Sequence, residues 1–212
     1  METDRNYLPA AGHDWLLPLY DPIVKLIGGD EARRALIDQA ELQSGYRILE
    51  VGSGTGTLLA MIKRRYPTVE VVGLDPDAKA LERARRKTAR EGLSVQWDQG
   101  FADQLPYAES SFDRVFSAFM FHHVSPPERE PMLLEARRVL KPNGEFHMAD
   151  FEATEDSPRG FFARIFQSHA HVKENSEARI LALMNQAGFS AARKNNRKQK
   201  FFGAIVYYRA TA

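Results

Sequence analysis

The sequence predicts an α/β fold in which helices cover both faces of a parallel sheet. Three observations carry that expectation. Short strand-like runs alternate with amphipathic stretches between residues 47 and 150, the pattern of successive strand–helix–strand units. The first run passes straight into a glycine-rich turn, Gly52-Ser53-Gly54-Thr55-Gly56. Pro126-Pro127 and Asn143-Gly144 then punctuate the chain where elements begin and end.

The elements follow in order. Residues 1–28 are aromatic and hold Pro18 and Pro22, each of which lacks an N–H and clashes with a preceding helical turn. Two short helical pieces, about 13–20 and 22–28, are therefore expected there. Asp30 is placed to cap a helix with Ala32, Ala35, Leu36 and Ala40 on one face. Arg47 to Val51 reads as a buried strand, followed by a helix over about 56–65. Val69 to Leu74 is a second strand, and a helix over about 78–91 is ended by Gly92. Ser94 to Trp97 and Phe112 to Ser117 are the third and fourth strands. Ser125 as N-cap, Pro126 at the first helical position and Glu128 in a capping box open a helix that runs to about Leu140. Pro142-Asn143-Gly144 turns the chain into a fifth strand, Glu145 to Asp150. Residues 152–174 hold Phe161, Phe162, Ile165 and Phe166 without a clean strand and read as an inserted lid. Ser176 to Ala187 is a helix closed by Gly188, and strands over 189–195 and 201–209 are joined by a polar, basic loop.

Composition narrows the function classes. With 212 residues, 43% hydrophobic and 27% charged, the chain has ordinary globular values for one domain. Lys and Arg total 29 against 28 Asp and Glu, so the balance gives no polyanion footprint. No cysteine is present, which excludes a disulfide framework, a thiolate metal site and a cysteine nucleophile. Met1 to Leu8 is polar, and no apolar run approaches the roughly 20 residues that span a bilayer. A soluble, cytoplasmic protein is the expectation.

The glycine turn is the sharpest feature. Glycines at the carboxyl end of a strand let the backbone approach a ligand and turn into a helix. The alternative is a tight strand–helix turn without a ligand. The spacing is Gly-x-Gly-x-Gly rather than the Gly-x-Gly-x-x-Gly of dinucleotide folds, and a Walker-type Gly-Lys-Ser/Thr ending is absent. Asp75 closes the second strand 19 positions after Gly56, where a carboxylate accepts from ribose hydroxyls. Its other possible role, capping the next helix, suits Asp77 better.

These residues resemble the class I S-adenosylmethionine-dependent methyltransferases, in particular the small UbiE-like type. The matching blocks are Ile48 to Gly56, Val71 to Asp75, Gly100 to Pro106, Phe112 to Val115, Phe121 to Val124 and Val139 to Gly144, in family order. Ser53 stands where many relatives carry Cys or Ala; all are small. The resemblance implies a Rossmann-like seven-stranded sheet in the order 3-2-1-4-5-7-6 with the last strand antiparallel. It also implies one methyltransferase domain: an N-terminal helical cap segment over 1–44, a cofactor-binding core over 45–151, a lid insertion over 152–175 and a C-terminal helix and hairpin over 176–212. S-adenosyl-L-methionine is the implied cofactor. Gly52, Ser53, Gly54 and Gly56 would line its methionine part with Glu50 supporting the loop, Asp75 with Pro76 would take its ribose, Ala102 and Asp103 its adenine, and Phe119 would contact it through the backbone. Each position could instead be structural: Asp103 an ordinary loop carboxylate, Phe119 core.

Transfer from a sulfonium mostly requires proximity and alignment. A base matters where the acceptor must first lose a proton. The candidates are His122 and His123 after the fourth strand, with His169 and His171 in the lid; His147, inside the fifth strand, reads as structural. Asp150, Tyr20 and Phe162 are candidate acceptor contacts, Tyr20-Asp21 being similar to a Tyr-Asp of quinone-methylating relatives. An Asn/Asp-Pro-Pro-Tyr/Phe motif is missing after the fourth strand, where Ser117-Ala118-Phe119-Met120 stands instead. That absence and the balanced charge argue against a nucleic-acid partner. The expected acceptor is small or lipid-like and partly apolar, attacked at O, N or C. The basic stretch Arg193 to Lys200, five positive charges in eight residues, reads as a solvated loop or as an attractor of an anionic acceptor or membrane surface. Two other functions stay open: a nicotinamide-dependent oxidoreductase, and a cofactor-binding or partner protein without chemistry of its own.

Overall fold

The computed structural model describes residues 29–152, 176–199 and 203–212. The two helical pieces expected before residue 29 and the lid lie outside the described residues, and with them Tyr20, Phe162, His169 and His171.

Among the described residues seven strands form one sheet in the order β3-β2-β1-β4-β5-β7-β6. They are β1 (Arg47–Val51), β2 (Glu70–Asp75), β3 (Gln96–Gln99), β4 (Phe112–Ala118), β5 (Leu140–Glu152), β6 (Ser190–Gln199) and β7 (Gly203–Thr211). The pairs among β1 to β5 are parallel, and β7 runs antiparallel to both β5 and β6. The helices are α1 (Gly29–Gln39), α2 (Thr57–Arg65), α3 (Ala78–Arg90), α4 (Pro126–Val139) and α5 (Glu177–Gln186), with a short 3-10 turn at Phe121–His123.

Side chains alternate between the faces of a strand, and the core divides accordingly. Ile48 joins the α1–α3 side with Leu36, Leu59, Leu81 and Trp97. Leu49 and Val51 join the α4–α5 side with Met132, Leu133, Phe146 and Met184. Glu50 follows Leu49 and so projects to the α1–α3 side, a buried carboxyl on the face that also holds Arg33 and Arg114.

Five local readings change. Asp30 does not cap α1 but lies inside its first turn, after Gly29. The third strand lies two residues later than expected, because Gly92, in the left-handed region, lets the Leu93 N–H close α3 on Thr88 O and sends 93–95 out as a connection. Ser125 precedes α4 but caps no backbone N–H; its hydroxyl donates to Glu128 Oε2 at 2.5 Å, so the reciprocal capping box is not made. Residues 141–144 form a bulge inside β5 rather than a free turn. Pairing steps from Phe112↔Leu140 to Arg114↔Glu145, with Asn143 at φ 63°. Lastly, the strand expected to stop at 195 runs on to Gln199, so Arg197 and Lys198 join Arg193 and Lys194 in β6, paired with β7 through Gln199↔Gly203, and do not form a loop. β6 is the sheet's outer strand, and a charged sequence is how an edge strand avoids pairing with other chains.

One polar network fastens α1 to β4, β5 and β7. Glu145 Oε1 accepts from Arg209 Nε and Nη2 at 2.9 and 2.6 Å, while Arg114 Nε lies 3.3 Å from Oε2. The Gln39 amide donates to His147 Nδ1 at 3.1 Å and to Tyr208 O at 3.0 Å. His147 Nδ1 is therefore an acceptor, its proton sits on Nε2, and that N–H faces Glu145 Oε2 at 3.2 Å. Burial pushes the His147 pKa down, in keeping with a neutral ring. Burial alone would raise the Glu145 carboxyl, but the His147 and Arg209 hydrogen bonds and the Arg114 charge bring it down to about 2. Removing one member of a buried ion network leaves the others uncompensated. Glu145→Ala should lower stability by roughly 2–4 kcal/mol at pH 7, the figure reduced because Arg209 keeps contact with water. The carboxyl is depressed in the fold, so its contribution is complete above about 4.5 and disappears as the pH falls toward about 2. Urea titrations of both proteins at pH 7 and pH 3 should show the gap narrowing at the lower pH.

Candidate functional site

The site begins with the backbone after β1. The N–H groups of Gly52 and Ser53 both donate to Leu74 O, at 2.8 and 3.0 Å. The Gly54 N–H donates to Asp75 Oδ2 at 2.7 Å, and the Asp77 N–H to Asp75 Oδ1 at 2.9 Å. One carboxylate at the end of β2 thus fixes the glycine turn and its own connection to α3. The three glycines serve different ends. A Cβ on Gly52 would lie 2.2 Å from Met120 Cγ, and one on Gly56 2.3 Å from the Trp97 ring. A Cβ on Gly54 would meet nothing within 4 Å. Gly54 faces open space, whereas Gly56 lets α2 and Trp97 close on each other.

A cavity opens at the carboxyl ends of β1, β2 and β4, where open α/β sheets take their ligands. Of the residues singled out in the sequence, Glu50, Gly52, Ser53, Gly54, Asp75, Pro76, Ala102, Asp103, Phe119 and His123 line it. Gly56, His122 and Asp150 do not: Gly56 lies under Trp97, and His122 and Asp150 are buried behind the wall, 3% and 1% exposed. Asp150 is therefore bonded to protein and not displayed at the rim. Sequence reasoning missed Arg33, which lines the cavity from α1. The signal was its place on the buried face with Ala32, Leu36 and Ile37, where an arginine needs a reason to be. Its guanidinium lies 5.5 Å above the Phe119 ring and near Asp30, at 3.6 Å.

Electrostatics concentrate on two carboxyls. Burial pushes Glu50 up to about 8, with Asp75 adding to the rise and the Arg33 and Lys87 charges and the Leu59 N–H opposing it. Its Oε2 has no hydrogen-bond partner among the described residues. Burial also raises Asp75, to about 6, against the two backbone N–H groups it accepts. Lys87 donates to Thr57 Oγ1 at 2.9 Å, beside the turn. A buried acceptor next to a buried guanidinium suits a ligand carrying an ammonium and a carboxylate together, and Asp75 keeps lone pairs for hydroxyl donors. The wall beyond is mostly apolar, with Phe101, Met120, Val124 and Met132 beside His123, and Ser125 and Glu128 complete it. The described residues hold no cluster of three or more metal-ligating side chains, and none of their helices is long and apolar enough to cross a membrane.

Residues 48–144 match the model of a methyltransferase domain. A demethylmenaquinone methyltransferase of Thermus thermophilus is 36% identical over 155 residues, 72% of this chain and 68% of that protein. One of Deinococcus radiodurans is 34% identical over 157 residues, 73% of this chain, but the chain spans only 64% of its length. In fold, the chain is similar to the phosphoethanolamine N-methyltransferase 2 of Haemonchus contortus, solved with S-adenosyl-L-methionine: TM-score 0.76, 15% identity, covering 95% of this chain and 58% of that one.

Glu50 gives a prediction that needs no ligand. Its pKa is raised in the fold, so the folded protein holds its proton while the unfolded chain releases it. Stability is lost as pH rises from about 4.5 and levels off above about 8. Glu50→Gln removes that loss. Its melting temperature should match the parent near pH 4.5 and exceed it increasingly up to pH 8, by an advantage on the order of 3 kcal/mol at neutral pH. Calorimetric melting at pH 4.5, 6 and 8 checks this, and a constant gap would contradict it.

Proposed function

The chain belongs to the class I S-adenosylmethionine-dependent methyltransferases, and we propose that it methylates a small, partly apolar acceptor of the phenol or quinol kind. One observation carries the reading: a single cavity includes the glycine turn, Arg33, Glu50, Asp75 and Asp103 together with His123 and a mostly apolar wall. The first group has the chemistry of the cofactor, the second that of the acceptor. The demethylmenaquinone methyltransferases among the relatives support the choice of an aromatic ring bearing hydroxyls.

The residues fit the cofactor group by group. The Glu50 oxygen that lacks a partner would take the methionyl ammonium, and Arg33 its carboxylate. Gly54 leaves the backbone open to the same part. Asp75 would accept from the ribose hydroxyls, and Asp103 from the adenine amine beside the Ala102 backbone. S-adenosylmethionine, when bound, supplies a methyl group already activated on a sulfonium. What remains for the chain is to align the acceptor, exclude water and remove a proton. Phe101, Phe119, Met120, Val124 and Met132 are the dry surface for a flat ring. His123 is the base: its imidazole is on the cavity wall, and histidine titrates in the range such a step needs.

The reading is tested by calorimetry with S-adenosylmethionine, with NADH as the control for a dinucleotide site, and by release of S-adenosylhomocysteine on a panel of phenols, quinols and amines. Binding of NADH alone would overturn it. Within that experiment, Asp75→Ala should weaken S-adenosylmethionine about five- to a hundred-fold, the equivalent of roughly 1–3 kcal/mol for ligand donors left without an acceptor. Affinity should also tighten from pH 5.5 to pH 8 in the parent, since ligand donors and the ammonium require both carboxyls ionised and these titrate at about 6 and about 8. That rise should flatten in Glu50→Gln. An unchanged affinity in Asp75→Ala would remove Asp75 from the site.

A further inference from the structure

We propose that Asp150 and His122 are a positioning pair that holds the His123 imidazole in place to take the acceptor's proton. The proposal rests on the methyl-transfer reading above and adds two residues that touch neither ligand.

The geometry is specific. Asp150 sits in β5, paired with Val206 of β7 and 1% exposed. Its Oδ2 accepts the backbone N–H of His122 at 2.8 Å, and its Oδ1 lies 2.5 Å from His122 Nδ1. Oδ1 also accepts the Phe151 N–H at 2.7 Å. A carboxylate that already accepts two backbone N–H groups receives the ring proton too, so His122 Nδ1–H is the donor. The face of that ring meets His123, centroids 4.1 Å apart and 40° between planes, while the Phe151 ring stands edge-on to His122 at 5.4 Å. The turn itself is tightly drawn. Phe119 is held at φ 58° with its N–H on Ala149 O, and the His123 N–H returns to Met120 O at 2.8 Å.

A staple for the connection after β4 would need only the backbone half of this arrangement. The second carboxylate oxygen is directed at a side chain, and that side chain supports the histidine on the cavity wall. In the step, the acceptor's O–H bond breaks, its proton joins an imidazole nitrogen of His123, and the electron pair stays on the oxygen as the nucleophile. The proton then leaves to water. Asp150 supplies fixed negative charge behind the imidazolium that forms, in a site with little water, where such charge acts most strongly.

Asp150→Asn separates the two halves. The amide oxygen still accepts the His122 backbone N–H, but the amide nitrogen can accept neither the ring proton nor the Phe151 N–H. With an acceptor phenol that is protonated at the assay pH, kcat should fall roughly 10- to 100-fold. With an electron-poor phenol already ionised at that pH, it should fall less than about threefold, the residual a positioned base no longer explains. S-adenosylmethionine affinity should stay close to the parent, while the melting temperature should fall by a few degrees for the buried Phe151 N–H left without its acceptor. Equal losses on the two phenols would show a purely structural role and overturn the proposal. Histidine-labelled NMR of the ligand-free protein is the arm that does not depend on turnover. The ring proton between His122 and Asp150 should appear far downfield in the parent, and the His123 ring signals should shift in Asp150→Asn. Unmoved His123 signals would also overturn the proposal. Failure of the parent to methylate any panel member would instead count against the acceptor class, with the NMR result still deciding the pair.

Discussion

A single carboxylate sets the shape of everything around the cavity. Asp75 terminates β2, yet its two oxygens are committed to the N–H groups of Gly54 and Asp77. The first bond draws the turn after β1 against the end of its neighbour; the second directs the chain into α3, whose first turn Asp77 then caps through Lys79 and Ala80 N–H. Burying such a group is unfavourable unless its lone pairs are used. The fold uses them on backbone, and backbone is what forms the cradle. Glu50, one strand over, is the opposite case: it is as deeply buried and has one oxygen left over. Asp75 shapes the turn with one lone pair on each oxygen and keeps the others for a ligand, while Glu50 keeps a whole oxygen.

Most of the sheet was legible because its signals are local. The strand β1 keeps the bounds read from Arg47 to Val51, and helices α2, α3 and α5 keep theirs within a residue or two, since glycines and caps mark their ends. What the sequence hid depends on distant partners. The bulge over 141–144 exists because Phe112 and Arg114 on β4 dictate the register. Trp97 rather than Val95 defines β3 because it must cover Gly56 and Gly73. β6 reads only to 195 and not to Gln199, because an edge strand carries no apolar alternation to mark its end.

The site divides along the same line. Glycine spacing and the acid at the end of β2 are visible one residue at a time, and the ordered blocks place Ala102 and Asp103 beside them. Arg33 is not visible, since only the packing of α1 brings a helix face 17 residues upstream to Glu50. His122 and His123 are adjacent in the chain and alike in chemistry, so nothing local separates them. The 3-10 turn does: it sends one imidazole to the cavity wall and the other to a carboxylate behind it.

The order of the sheet has a consequence for how the chain is made. β7 follows β6 in sequence but lies between β5 and β6. β6 consequently has no neighbour to join when it emerges, and β5 presents a bare edge until residues up to Thr211 are available. Unfilled edges are where chains pair wrongly, and synthesis from the N-terminus prolongs that exposure. Glu145 shares the wait, because Arg209 lies 64 residues further on. During that interval the carboxylate has Arg114 and His147 for partners, and Arg209 completes the set when β7 arrives.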